Sequence, residues 1–295
     1  MPASLRPRRS LLYMPGANAR ALDKARGLPA DGLILDLEDA VAPDQKALAR
    51  RQVVEALGKG GYGQRELVVR INGLDTPHGA EDAAAVARAG AHAVLLPKVE
   101  SRAMIEALEM RLRAAGAPED LAIWCMMETP LGILRAEEIA AAGPRVACLV
   151  MGTSDLTKDL TARHTAMRLP MLTSLSWCLL AGRAHGLAVL DGVYLDLDDE
   201  AGFAASCRQG VELGFDGKTL IHPKTIAACN AAFGPSPESI AWSKRIIAAH
   251  AEAERQGKGV VLVEGKLIEN LHVAEAKRLV ALAEAIAGLE AGAAP

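Results

Sequence analysis

Short apolar runs recur along the chain, separated by segments whose apolar residues fall at helical spacing. Ser10 to Met14, Gly32 to Leu37, Leu67 to Ile71, Ala93 to Leu96, Ala122 to Met127, Val146 to Met151, Leu187 to Leu190 and Phe215 to Ile221 read as strands. The first, second, fifth and sixth are almost continuous in apolar residues, the pattern of strands covered on both faces. Between them, Ala80 to Ala89, Arg102 to Ala115 and Asp199 to Leu213 set Ala and Leu among charges at helical spacing. Eight strand-then-helix units predict an α/β fold, a parallel (β/α)8 TIM barrel over residues 1–234. After Pro235-Ser236-Pro237 the rhythm changes to a helix from about Glu238 to Gln256, a hairpin from Val260 to Ile268 and a helix from about Val273 to Ala287. Residues 235–295 are therefore expected to form a C-terminal helical extension, too large for a loop, that serves as a lid or an oligomerisation piece.

Composition narrows the class. Hydrophobic residues make up 51% of the chain but aromatics only 3%, so the core must be built from Ala, Val, Leu and Ile. The 33 basic and 36 acidic residues leave a net charge of -3, and the only dense basic stretch is Arg6 to Arg9. That balance points to neither nucleic acid nor an anionic membrane as partner. The longest uncharged stretch, between Arg168 and Arg183, falls short of the roughly 20 apolar residues of a spanning helix, and no segment resembles a signal peptide. The five scattered cysteines read as reduced, buried thiols, so a cytoplasmic enzyme is expected.

The polar residues that interrupt this pattern fall at the C-terminal ends of the strands, where a barrel keeps its reaction centre. Run two ends in Asp36-Leu37-Glu38-Asp39, run three in Arg70-Ile71-Asn72-Gly73, run four in Pro97-Lys98, run five in Glu128-Thr129-Pro130 and run six in Gly152-Thr153-Ser154-Asp155. Glu128 and Asp155 end consecutive strands, so both carboxylates should reach one hard cation; two carboxylates with waters and substrate oxygens are the usual holders of Mg²⁺. The alternative is that each caps a following helix. Arg70 offers a planar donor fork for a carboxylate or an enolate oxygen, or else a structural ion pair to Asp36, Glu38 or Asp39. The acidic trio Asp36, Glu38 and Asp39 is expected to support the metal or to orient Arg70 and Lys98. Lys98 stands where Schiff-base aldolases keep a lysine, but the surrounding acids favour an electrostatic or structural role. His222, beside Pro223, reads as structural.

Taken in order, RSLLYMPG from Arg9, DKA from Asp23, LDLEDAV from Leu35, VRING from Val69, LPKVES from Leu96, ETPLGIL from Glu128, GTSDLTKDL from Gly152, DGVYLD from Asp191 and FDGKTLIHP from Phe215 resemble the citrate lyase beta subunit-like branch of the HpcH/HpaI aldolase family. The resemblance runs from Arg9 to about Ile286. It implies that Glu128 and Asp155 bind Mg²⁺, that Arg70 binds substrate, and that Arg9, Tyr13 and Lys24 lie near a coenzyme A moiety. It also implies a homotrimer or homohexamer in which the C-terminal segment closes a neighbour's site. The family's lid carries an aspartate as acid or base, where this chain reads Gly265-Lys266-Leu267-Ile268-Glu269; the extra methylene displaces the carboxylate by an ångström or more.

Together these imply a lyase that cleaves or forms a β-hydroxyacyl-CoA such as malyl-CoA or citramalyl-CoA. Glu128 and Asp155 hold the metal and bind substrate through it, Arg70 acts as cation and Glu269 is the catalytic base. The expected products are acetyl- or propionyl-CoA and a 2-keto acid, glyoxylate or pyruvate, with thioesterase or synthase side activity alongside. Two rivals remain: the beta subunit of a citrate lyase complex acting on citryl-acyl carrier protein, and a non-catalytic barrel that binds a CoA ester.

Overall fold

The computed structural model describes residues 6–257 and 259–292. Eight parallel strands close in sequence order: β1 (Ser10–Pro15), β2 (Gly32–Asp36), β3 (Glu66–Arg70), β4 (Ala93–Leu96), β5 (Ala122–Met127), β6 (Val146–Met151), β7 (Ala188–Asp191) and β8 (Gly217–Leu220), with β8 returning to β1. The (β/α)8 barrel expected from the rhythm is the fold. The eighth strand is shorter than its apolar run because Phe215 still belongs to the preceding helix end, its N–H donating to the Gly210 carbonyl at 3.0 Å.

Alternation along the strands divides the core in two. Leu11, Ile34, Val68, Leu95, Trp124, Met126, Val150 and Leu190 fill the barrel interior, while neighbours one residue away, such as Leu33, Leu35, Val69, Cys125 and Val189, pack outward with the helices. The base of the barrel is plugged by charge. Arg8 grips Glu66 through Nε at 2.6 Å and Nη2 at 2.8 Å, and its guanidinium lies 5.2 Å from the centroid of the buried Trp124 ring. All five cysteines are buried thiols. No helix among the described residues is long and apolar enough to cross a membrane.

A second charged cluster sits between the strands and the outer helices. The β7–β8 register pairs Asp191 with Lys218, and the fully buried Lys218 ammonium donates to Asp191 Oδ2 at 2.8 Å. Arg168, in the left-handed conformation (φ 50°), donates through Nη1 to Asp191 Oδ1 at 2.6 Å and through Nε to Gln209 at 2.6 Å. Burial alone would raise the Asp191 carboxyl, but Lys218 and Arg168 more than offset it and hold it below the usual range.

By internal packing the chain forms two units, Arg8–Phe233 and a second made mainly of residues from Gly234 onward. The second unit pairs the Pro237–Arg255 and Asn270–Ala291 helices with an antiparallel hairpin, β9 (Val261–Val263) and β10 (Lys266–Ile268), around Ile246, Val263, Ile268, Val273 and Ala276. Glu264 and Gly265 both take positive φ in the hairpin turn, as a two-residue loop of matching twist requires. The last helix begins at Asn270, one turn before its first buried residue, because Glu269 is its N-cap and the Glu269 N–H donates to His272 Nδ1 at 3.1 Å.

Asp191→Ala leaves the Lys218 ammonium buried without a counter-charge. It is expected to cost about 3–5 kcal/mol, a fall in Tm of roughly 10 °C for a domain of this size, with partial recovery when Lys218→Met removes the orphaned charge. Thermal unfolding followed by circular dichroism checks this, and a Tm for Asp191→Ala equal to the parent's would contradict it.

Candidate active site

The interior positions of the strands run on past the apolar core, and two residues above it they become polar. Tyr13 follows Leu11, Asp36 follows Ile34, Arg70 follows Val68 and Glu128 follows Met126, so all four side chains share the inward face at the C-terminal mouth. On β6 the same step from Val150 arrives at Gly152. A side chain there would collide with the Glu128 Cβ and its Oε2, so this glycine makes the room that the carboxylate fills.

Register then joins the charges. Asp36 and Arg70 are direct partners across β2 and β3, and the Arg70 fork closes on Asp36, Nε to Oδ1 at 2.7 Å and Nη2 to Oδ2 at 2.7 Å. Asp36 also accepts the N–H groups of Glu38 at 2.9 Å and Ala40 at 3.0 Å, which shapes the loop that carries the acidic trio. The remaining Arg70 corner, Nη1, lies 2.8 Å from Glu38 and 3.3 Å from Asp39, and the guanidinium stands 4.8 Å from the Tyr13 ring centroid. Burial alone would favour a neutral guanidine, but Tyr13 and the acids around Arg70 keep it charged. Tyr13 donates to Met126 Sδ at 3.5 Å, and burial pushes its phenol upward.

Neither Glu128 nor Asp155 caps a helix. Thr129 caps the Pro130–Leu134 helix, its Oγ1 accepting from the Gly132 N–H at 3.0 Å, and Gly152 precedes the Thr153–Asp159 helix, whose first turn holds Asp155. Glu128 Oε1 accepts the Lys98 N–H at 2.8 Å. Burial pushes the Glu128 carboxyl up to about 7, the Lys98 N–H opposing and Glu38 reinforcing. Burial likewise raises Glu38, with Arg70 opposing. Lys98 reaches Asp155 Oδ2 at 3.2 Å and Glu38 Oε1 at 3.4 Å. Its burial would lower the ammonium, but Glu38, Glu128 and Asp155 raise it above its ordinary value, the opposite of what a Schiff-base lysine needs.

The mouth gathers five carboxylates, Asp36, Glu38, Asp39, Glu128 and Asp155, around two cations, Arg70 and Lys98, and so holds surplus negative charge. This donor set fits a hard divalent cation. Among the described residues no three His, Cys, Asp or Glu side chains converge as a ready ligand cluster, so a cation here would rest on Glu128 and Asp155, with other positions left to water and substrate.

Arg9 precedes β1, at the opposite end of the barrel from Glu128. Its backbone N–H and Nε donate to Asp31 Oδ2 at 2.8 and 2.9 Å and Nη2 donates to Oδ1 at 2.8 Å, so its charge is committed to a buried carboxylate and away from the mouth. Lys24 ends the Ala19–Lys24 helix and is exposed. Glu269 belongs to the second unit as the N-cap already described. His222 is structural, its Nδ1 accepting the Lys224 N–H at 3.1 Å. Gly152 was not anticipated; counting two residues on from Val150 would have found it.

A model of the HpcH/HpaI aldolase/citrate lyase family matches residues 9–223. A (3S)-malyl-CoA thioesterase of Cereibacter sphaeroides (strain KD131 / KCTC 12085) is 52% identical over 285 residues, covering 97% of this chain and 98% of the relative. A citrate lyase subunit beta of Escherichia coli (strain K12) is 36% identical over 284 residues, 95% of this chain and 94% of that one. Among solved structures, CitE from Mycobacterium tuberculosis, in complex with magnesium, acetoacetate and coenzyme A, is 30% identical with a TM-score of 0.75, covering 96% of this chain and all of that one.

Gly152→Ala is expected to push the Glu128 carboxylate off the Lys98 N–H and to cost about 1–3 kcal/mol from overpacking. A crystal structure of the variant is the check; a Glu128 side chain still bonded to Lys98 would show that the glycine is not what makes the room.

Proposed function

We propose that this chain, which belongs to the HpcH/HpaI aldolase/citrate lyase family, is a Mg²⁺-dependent enzyme acting on a short β-hydroxyacyl-CoA, with (3S)-malyl-CoA the first substrate to test. The observation that carries this reading is the pair Glu128 and Asp155 in a mouth with surplus negative charge, beside an arginine fork held by Asp36. Thioester hydrolysis to malate and free coenzyme A stands first, because the thioesterase of C. sphaeroides shares over half its positions with this chain across nearly the whole length. Carbon–carbon cleavage to acetyl-CoA and glyoxylate is the second reading, favoured by the similarity to a citrate lyase subunit beta.

In this reading Glu128 and Asp155 hold the cation. When bound, Mg²⁺ supplies Lewis acidity toward substrate oxygens and neutralises charge that grows during the reaction. Asp36 fixes the plane of Arg70 by its bidentate grip, leaving Nη1 as the corner that a substrate carboxylate or thioester oxygen approaches. Glu38 and Asp39, now 2.8 and 3.3 Å from that corner, yield it to the incoming anion. Tyr13 backs the guanidinium with its ring and keeps water from that side. Lys24, exposed and cationic, is the candidate for the coenzyme's phosphates. Glu269 is assigned the proton transfer, from the C-terminal unit of a neighbouring subunit in a trimer or hexamer. In hydrolysis it takes a proton from the attacking water as the thiol leaves. In cleavage it takes the hydroxyl proton as the carbon–carbon bond breaks, and the enolate is then protonated.

Incubation with (3S)-malyl-CoA and Mg²⁺, followed by separate assays for malate, glyoxylate, free thiol and acetyl-CoA, distinguishes the two reactions. Excess chelator and Glu128→Gln should each abolish turnover while the fold survives, and full activity under chelation would reject the metal reading. Because the Glu128 proton must leave before a cation enters, apparent Mg²⁺ affinity should weaken as pH falls below about 7, the value to which burial raises this carboxyl, by about tenfold per unit for one displaced proton. Titrations at pH 6 and 8 that give equal affinity would count against Glu128 as ligand.

Glu269→Gln should lower kcat by roughly 10² to 10⁴ with little change in substrate affinity. Mixing Glu128→Gln subunits with Glu269→Gln subunits should restore part of the activity, since some interfaces then pair an intact metal site with an intact acid. Mixed oligomers that form without recovery would show that Glu269 does not act across subunits.

A further inference from the structure

Lys98 is held at both ends. Its backbone takes a positive φ of 48°, a conformation that a side-chain-bearing residue rarely adopts, and its N–H is locked onto Glu128 Oε1 at 2.8 Å. The chain is thus turned so that the side chain passes over the acidic pocket, where Nζ meets Asp155 at 3.2 Å and Glu38 at 3.4 Å. Charge-assisted N–H···O bonds normally fall at about 2.7–2.9 Å, the spacing that Lys218 reaches on Asp191 at 2.8 Å. The Lys98 ammonium is shared between two carboxylates and fully committed to neither. Its side chain is 50% exposed, so it can withdraw into water at small cost, unlike Lys218. A cation so placed, on a strained but fixed backbone and with loose contacts, is built to be displaced.

We propose that Lys98 is the pocket's resident cation: its ammonium bridges Glu38 and Asp155 and must give up Asp155 when Mg²⁺ enters, so that Lys98 sets how weakly the metal is held. The inference rests on the assignment of Glu128 and Asp155 as metal ligands. It gives Lys98 a role opposite in sign to that of a residue that only orients the carboxylates. An orienting lysine, once removed, would leave Asp155 free to wander and the metal more weakly bound. A competing lysine, once removed, takes away a repelling charge a few ångströms from the divalent ion, and the metal binds more tightly. Its backbone bond to Glu128 does not depend on the side chain and survives either way.

The test is calorimetric titration of MgCl₂ into the metal-stripped, full-length protein without substrate. Lys98→Met should lower the Kd for Mg²⁺ by about tenfold or more, the effect of removing one like charge near a divalent ion in a partly solvated pocket. Lys98→Arg, which keeps the charge, should stay within a few-fold of the parent. Lys98→Gln supplies the same comparison should the methionine variant fail to fold. A Kd unchanged or raised in the neutral variants, with the parent binding Mg²⁺ normally, overturns the role of Lys98 and leaves the metal site standing. A folded parent that takes up no Mg²⁺ at all overturns the ligand assignment and this inference with it.

Discussion

In a closed parallel barrel neither face of a strand meets water. One face is pressed on the helices and the other on seven neighbours across a narrow interior, so a polar side chain on the inner face has room only at the two ends. The whole arrangement follows from that constraint. At the base the constraint is met by Arg8 and Glu66, which neutralise one another over Trp124 and close the end. At the mouth it is met differently, by letting the same inward rows continue into Tyr13, Asp36, Arg70 and Glu128 without full mutual neutralisation. One end of the barrel is electrically quiet and the other is left wanting a cation.

The charge imbalance at the mouth is kept by structure. Arg70 could in principle serve the carboxylates evenly, but parallel register places it opposite Asp36 and the fork closes there. Lys98 arrives from the next strand end and reaches Glu38 and Asp155, while Glu128 receives from it only an amide hydrogen. Glu128 is almost fully enclosed, and its burial raises the carboxyl to about 7. A buried acid in that condition gains most from a divalent neighbour.

Much of this was legible before any coordinates. Eight apolar runs, their polar ends, and the placing of Glu128, Asp155 and Arg70 at one rim follow from counting, because strands in such barrels occur in sequence order and end at one rim. What counting missed has physical reasons. Gly152 reads as a turn residue in sequence, and only the period-two step from Val150 shows that it is an inward position kept bare. The Asp191–Lys218 pair depends on register between β7 and β8, which no local pattern encodes. The Arg9–Asp31 pair joins the residue before β1 to the one before β2, a contact that no local pattern encodes. The start of the last helix was set a turn late because apolar spacing marks where a helix is buried, while its cap marks where it begins.

The sealed thiols have a practical bearing. Cys125, Cys148, Cys178, Cys207 and Cys229 are distributed over β5, β6 and three of the outer helices, and none reaches solvent in the folded protein. A thiol-reactive dye added to the native chain can therefore label it only when a strand or helix opens, at a rate set by that opening. The half of the barrel from β5 to the helix after β8 carries its own reporters of local breathing, with no engineering required. A single cysteine introduced at the mouth would label far ahead of all five.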